Sequence, residues 1–433
     1  MAFVLLFYTG LASRSGYQTA AFIVALLGCL ILIVLAASDK VVIERRRLVA
    51  RGIVQSFLSL FTGRGLRLKF VDIERIETYA VQRFRRGGSV FYSYRTVVRG
   101  GSAKFIIRSR SSSFHQFVAT VFGYVADDVM DNHSLELRDY FADRHEVRER
   151  ARSSEIPRGD VLEGVLRKVR RQTLRKRSEV VASTAELGRA KVLRRLANEM
   201  RVAGFLVQSL EAFRRAAIIQ PNNGWLLFEF GRCILSYAAS ERDGDAERRG
   251  LAMLRLAEQR AIGDKELLSR LGESYFYAGD IRRAEITFRK VTETVGATFR
   301  SVCGQAEIAL RQGKFAHVVH NFSIANKLSA VPSLKKWTHK EINYFTKLSG
   351  DGEYMELEIS RLGLVEKLYK LVDSAIPVTA AGLILLMTGV LLQDGFISDI
   401  GWAISGIALA VWVAARIGAG IFASRMPLEP IDK

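Results

Sequence analysis

The sequence predicts a multidomain membrane protein. A small β-rich domain and an all-α array of helical hairpins are expected between N-terminal and C-terminal transmembrane helices. Three observations carry this expectation: long uncharged apolar stretches near both ends, a glycine-bounded alternating run after the first, and a register of about 34 residues recurring through the middle of the 433-residue chain. With 49% apolar and 25% charged residues the chain is expected to pack. The net charge of +20 implies an acidic partner: anionic lipid, nucleic acid or an acidic protein surface. Cys29, Cys233 and Cys303 lie far apart, which suggests a reducing compartment and no disulfide framework.

Residues 17–37, YQTAAFIVALLGCLILIVLAA, carry no charge and are long enough to cross a bilayer core. They lack a basic n-region before them and a small-residue cleavage site, so 1–38 reads as an anchor and not a signal peptide. The stub MAFVLLFYTGLA is too short for an ordinary span and reads as re-entrant or interfacial. A second apolar pair, 374–393 and 400–424, forms a hairpin whose turn, DGFISD, holds two acids and no bases. Lys367, Lys370, Arg416, Arg425 and the run DKVVIERRR are basic. This bias predicts a bacterial-type inner-membrane protein with 39–373 and the tail 425–433 on the cytoplasmic side. Gly406, Ala410, Ala414 and Gly418 fall every four residues on one face, allowing close helix contact within the hairpin or in an oligomer.

The middle register starts from Gly279 in YFYAGDIRRAEITF. Unit 265–298 places Leu271, Gly272, Tyr275, Gly279, Ala284 and Phe288 at positions 7, 8, 11, 15, 20 and 24. Unit 190–223 offers Leu196, Ala197, Gly204, Phe213, Ala216 and Pro221 in the same register. Unit 224–264 begins with Phe230, Gly231 and Ile234, then takes an insertion around SERDGDAE before Gly250, Leu254 and Ala257. Unit 299–332 supplies Ala306, Ala309, Gly313, Phe322 and Ala325, and 333–348 reads as a polar-faced cap within the array 190–348. Small residues let paired helices approach, and the glycines give the turn backbone freedom. The pattern resembles the tetratricopeptide repeat family over about 145 residues.

That resemblance implies a solenoid whose first helices line a concave surface for a protein partner. Carried over by position, the groove comprises Arg194, Asn198, Arg201, Trp225, Phe228, Arg232, Arg270, Phe276 and Arg311. Any of these also reads as an ordinary solvated side chain. The family's carboxylate-clamp variant is excluded, because Glu229 and Glu266 stand where an amide and a base are needed.

Residues 39–143 read as a β-domain closed by a helix. SVFYSYRTVV alternates between Gly87-Gly88 and Gly100-Gly101, and RLKFVDIERIETYAV and AKFIIRS supply further strands. SSSFHQFVATVFGYVADDV has apolar residues at helical spacing. Through LKFVDIERIE this region resembles bacterial pleckstrin-homology-like (PH-like) domains, a small β-barrel or β-roll; another small β-domain fits too. Arg83, Arg85 and Arg86 form a basic turn. The linker 144–189 is polybasic. Arg167, Lys168, Arg170, Arg171, Arg175, Lys176 and Arg177 suit an anionic lipid surface, with a solvated helix or acidic protein as alternatives and nucleic acid less apt. A helical linker, 349–373, leads to the hairpin.

No phosphate-cradling loop is present, since GRGLRLK lacks the spacing. His317 and His320 have no Cys or acid to complete a metal site. ADDVMDNH departs from calcium-loop spacing and reads as a helix exit and loop. No catalytic, cofactor or metal residue is assigned, and no enzyme activity is expected. The expected role is a membrane-anchored scaffold binding a protein partner at the cytoplasmic face. The alternative is a structural or regulatory subunit of a membrane complex, of envelope-assembly or secretion type, whose transmembrane helices carry the specific contacts.

Overall fold

A computed structural model describes residues 40–52, 65–86, 89–101, 103–109, 114–162 and 183–422. The expected N-terminal span, the stub before it and the bases at 167–177 lie outside the described residues. The protein is mostly helical, with two three-stranded sheets and two helices long and apolar enough to cross a membrane. It divides into two compact units. One holds Met1–Lys69, Gly101–Phe105 and Thr346–Lys433; the other holds Phe70–Gly100 and Ile106–Phe345.

In the first unit, β1 (Lys40–Glu44), β2 (Arg47–Arg51) and β3 (Arg67–Lys69) form an antiparallel sheet in that order. Leu48 and Leu68 sit opposite each other in the register, and both are buried. The β1–β2 turn consists of Arg45 and Arg46, with φ of 39° and 67°. Positive φ at both central positions is the type I′ pattern of two-residue hairpins, which bulky residues adopt at a cost.

The same unit holds α13 (Gly352–Leu391) and α14 (Gly395–Phe422), which pack along each other. The expected linker and span fuse into one 40-residue helix, about 60 Å long, that passes straight through Pro377. The turn is only Leu392–Asp394, where the Asp394 carboxylate accepts from the amides of Phe396 and Ile397. Helix backbones meet at glycines: a Cβ on Gly401 would lie 2.3 Å from the Leu386 nitrogen, and one on Gly382 2.7 Å from the Ser405 nitrogen. This seam differs from the expected stripe. Of its two glycines, Gly406 is buried but its Cβ position meets open space, and Gly418 approaches Leu368 of α13; Ala410 is half-buried and Ala414 exposed. The seam drifts because a helix contact repeats every three or four residues, not strictly every four.

In the second unit β4 (Arg75–Arg86) and β5 (Ser89–Gly100) pair over their length. Where β4 and β5 meet, Ile76, Glu77 and Thr78 on one strand and Thr96, Val97 and Val98 on the other are all buried, so both faces of the sheet are covered there. The helix expected over 111–129 is shorter: α1 (Phe114–Phe117) continues as a π-turn to Phe122 and then breaks. Of the segment 126–133, read as a helix exit and loop, only Asn132 and His133 enter a helix, α2 (Asn132–Tyr140), which Asp131 caps by accepting from the Ser134 amide at 2.9 Å. Then comes α3 (Arg144–Ser153).

Residues 183–350 are helical pairs: α4 (Thr184–Ala203) with α5 (Leu206–Ile219), α6 (Gly224–Glu241) with α7 (Gly244–Arg260), α8 (Lys265–Tyr277) with α9 (Ile281–Lys290), and α10 (Phe299–Arg311) with α11 (Phe315–Leu328). A final α12 spans Pro332–Gly350. The side chains of Ser183, Asn223, Asp264 and Thr298 cap the first helix of each pair. Gly204, Gly279 and Gly313 turn the chain with φ of 85°, 83° and 70°. The residues read as an insertion lengthen α6 and α7, which meet at Arg242–Asp243. The Phe288 ring of α9 fills the space left by Gly272 within its own pair and by Gly304 of the next: a Cβ on Gly272 or Gly304 would come within 2.5 Å or 2.4 Å of it.

Candidate protein-binding face

The nine residues expected to line a groove all stand on first helices. Arg194, Asn198 and Arg201 are on α4, Trp225, Phe228 and Arg232 on α6, Arg270 and Phe276 on α8, and Arg311 on α10. That face is not vacant. Within the same compact unit, α2 and parts of β4 and β5 lie on it.

At its centre Glu136 of α2, 6% exposed, receives both Arg201 and Arg232. Arg201 binds it two-pronged, at 2.9 Å and 2.7 Å. Burial alone would raise the Glu136 pKa, but the two guanidiniums outweigh it and hold the carboxyl well below its usual range. One carboxylate serves two bases unequally. Despite burial, Arg201 is pushed up by Glu136, whereas at Arg232 burial prevails and the pKa falls. The Arg232 guanidinium also lies 5.7 Å from the centre of the buried Phe228 ring.

Toward one end, Arg194 makes a forked contact with Glu229 at 2.6 Å and 2.8 Å. Asn198 donates to the same carboxylate at 2.8 Å, and the Tyr140 hydroxyl donates at 3.3 Å. The Val90 amide donates to the Gly204 carbonyl at 2.7 Å. A Cβ on Gly204 would stand 1.9 Å from the Val90 oxygen, so this glycine also permits a strand to approach.

Toward the other end, Asn132 donates through its amide to Glu273 at 3.1 Å and through its side chain to the Arg270 carbonyl at 3.2 Å. Arg300 reaches the Met130 carbonyl at 3.0 Å, and Arg75 reaches Glu307 at 3.2 Å. The Ser333 hydroxyl donates to the Ile73 carbonyl at 2.7 Å. The remaining expected residues form two side clusters. Trp225 donates to Asp264 at 2.7 Å beneath the Arg270 guanidinium, and Arg311 lies 4.2 Å over the Phe276 ring.

The expected residues all stand on first helices, and most are engaged by the chain itself. Sequence reasoning missed the occupant, α2. Its signal was the Asp131 cap three residues before Ser134, inside a stretch read as a helix exit. The one pair of histidines considered as metal ligands, His317 and His320, stands on α11 away from this face. Among the described residues no three His, Cys, Asp or Glu side chains converge as metal ligands would. No protein-family model matches the chain, and no curated protein matches it significantly.

Proposed function

We propose that this protein is a membrane-anchored scaffold: a tetratricopeptide-like array and a PH-like β-domain, held at the cytoplasmic face of an inner membrane, acting as a structural or regulatory subunit of a membrane complex. The repeat reading is supported by the successive helical pairs and by the Phe288 ring that packs on Gly272 of its own pair and on Gly304 of the next. The observation that carries the choice of role is the Glu136 cluster. Arg201 and Arg232, the most buried bases expected to grip a partner, are satisfied by the chain's own helix. Removing that helix would strip both guanidiniums of their carboxylate partner. The specific contacts are therefore assigned to the membrane hairpin, where Met387 and Ile407 are more than half exposed along an apolar surface.

Crosslinking in native membranes, followed by purification of the full chain, tests this. Ile407→Trp and Met387→Trp, on faces away from the hairpin seam, should remove a co-purifying membrane protein without changing expression. An unchanged set of crosslinked partners contradicts the subunit reading. A second reading, an adaptor that takes an external acidic helix on the concave face, draws on the carboxylate grip seen at Glu136. It predicts that partners survive both hairpin substitutions and that added α2 peptide competes for them.

A further inference from the structure

Helix α14 is buried along two lines, and α13 accounts for one of them. Gly401, Ser405, Ala408, Ala415 and Ala419 are buried at intervals that keep them on one side of the helix. That side faces α13, because Gly401 lies against Leu386 and Ser405 against Gly382. Gly406 and Gly420 are buried as well. Each follows a residue of the first line by one position, so it stands about 100° further round the helix. Trp402, Leu409 and Ile417 share this second side and are half-buried. A Cβ on Gly406 would meet no described atom within 4 Å, which leaves room for another backbone to come close. On α13, in contrast, Val372, Ala375, Gly382 and Gly389 form a single buried line, and Ile376, Ile384 and Met387 behind it are more than half exposed.

Chain connectivity names an occupant for the second side. Residues 17–37 carry no charge. At helical rise they measure about 32 Å, which matches a bilayer core. Only Ser38 and Asp39 separate them from β1, and β1 belongs to the same compact unit as the hairpin. Direction follows too. Residues 17–37 lead into the β-domain, α13 leaves the repeats and α14 returns from the turn, so 17–37 and α14 run the same way.

We infer that residues 17–37 dock along the second side of α14 and turn the hairpin into a three-helix membrane bundle. Lipid tails are as apolar as these helices, so the contact is held by close packing, which a buried glycine permits. With the midpoints of 17–37 and 400–424 aligned, Cys29 falls level with Val413 and Ala414. The outer face of α13, with Met387, stays turned to lipid or to a partner.

Disulfide crosslinking of the full chain in native membranes tests this, with Cys29 as the built-in probe. The bond needs Cβ atoms about 4 Å apart. Leu409→Cys, Val413→Cys and Ile417→Cys sample the second side over successive turns. Ala414→Cys samples the same depth about 100° round the helix from Val413. Copper–phenanthroline oxidation should join Cys29 to at least one of the first three, as a linked peptide from protein that runs as a monomer. Ala414→Cys should give no such peptide, and Cys29→Ser should abolish every link. The inference is overturned if none of the three joins Cys29, or if Ala414→Cys joins it as well as they do. Links found only between two chains also overturn it, since they give this side of α14 to a second copy.

Discussion

Single residues decide where this molecule is strong and where pH touches it. Glu136→Gln leaves Arg201 and Arg232 buried around a neutral amide, and should cost about 3–5 kcal/mol, read as a lowered denaturant midpoint. Because its folded pKa is depressed, Glu136 contributes stability present above its unfolded pKa and lost as pH falls through the folded value. Glu341 behaves oppositely. Burial raises it to about 8, so the folded state keeps a proton that the unfolded chain releases near 4.5. Stability from this group is full below the unfolded value and declines as pH rises toward about 8. Thermal unfolding should therefore show a fall over that window, and Glu341→Gln should flatten it. An identical slope in the variant would remove Glu341 from the account.

At the scale of elements, glycines rank by what a side chain would meet. Gly204→Ala should be worst, since the Val90 oxygen is 1.9 Å from the added Cβ and φ is positive. Gly272→Ala presses on the Phe288 ring and should cost about 1–3 kcal/mol. Gly279→Ala meets open space and should cost only about 1 kcal/mol of backbone strain. In the β1–β2 turn, replacing Arg45-Arg46 by Asn-Gly should stabilise by about 1–2 kcal/mol, because those residues tolerate positive φ. Denaturant titration of the variants checks both orderings. Helical turns at Gly204, Gly279 and Gly313 were legible in the sequence, because conformational need selects a residue type locally. The role of Gly204 against β5 was not, because close approach by a distant strand leaves no local pattern. The Arg45-Arg46 turn was likewise hidden, since arginine is no turn signal and the run reads as a membrane flank.

For the molecule as a whole, apolar composition foretold the hairpin, but not its seam. Gly401 and Gly382 hold the helix backbones together, and Gly401→Leu should separate them at a cost of about 1–3 kcal/mol or more. A drop in detergent-resistant folded protein checks this. The expected binding residues stand on first helices, yet the engagement of Arg201 was invisible, because Glu136 lies 65 positions from it and pairs with it only through the fold. This occupancy bears on how the protein should be dissected. A fragment trimmed to begin at Ser183 would keep the repeats and discard their lid, baring a row of guanidiniums on its hollow side. Such bait would seize acidic helices indiscriminately, and its catch would report the missing half of the same polypeptide, not a physiological companion.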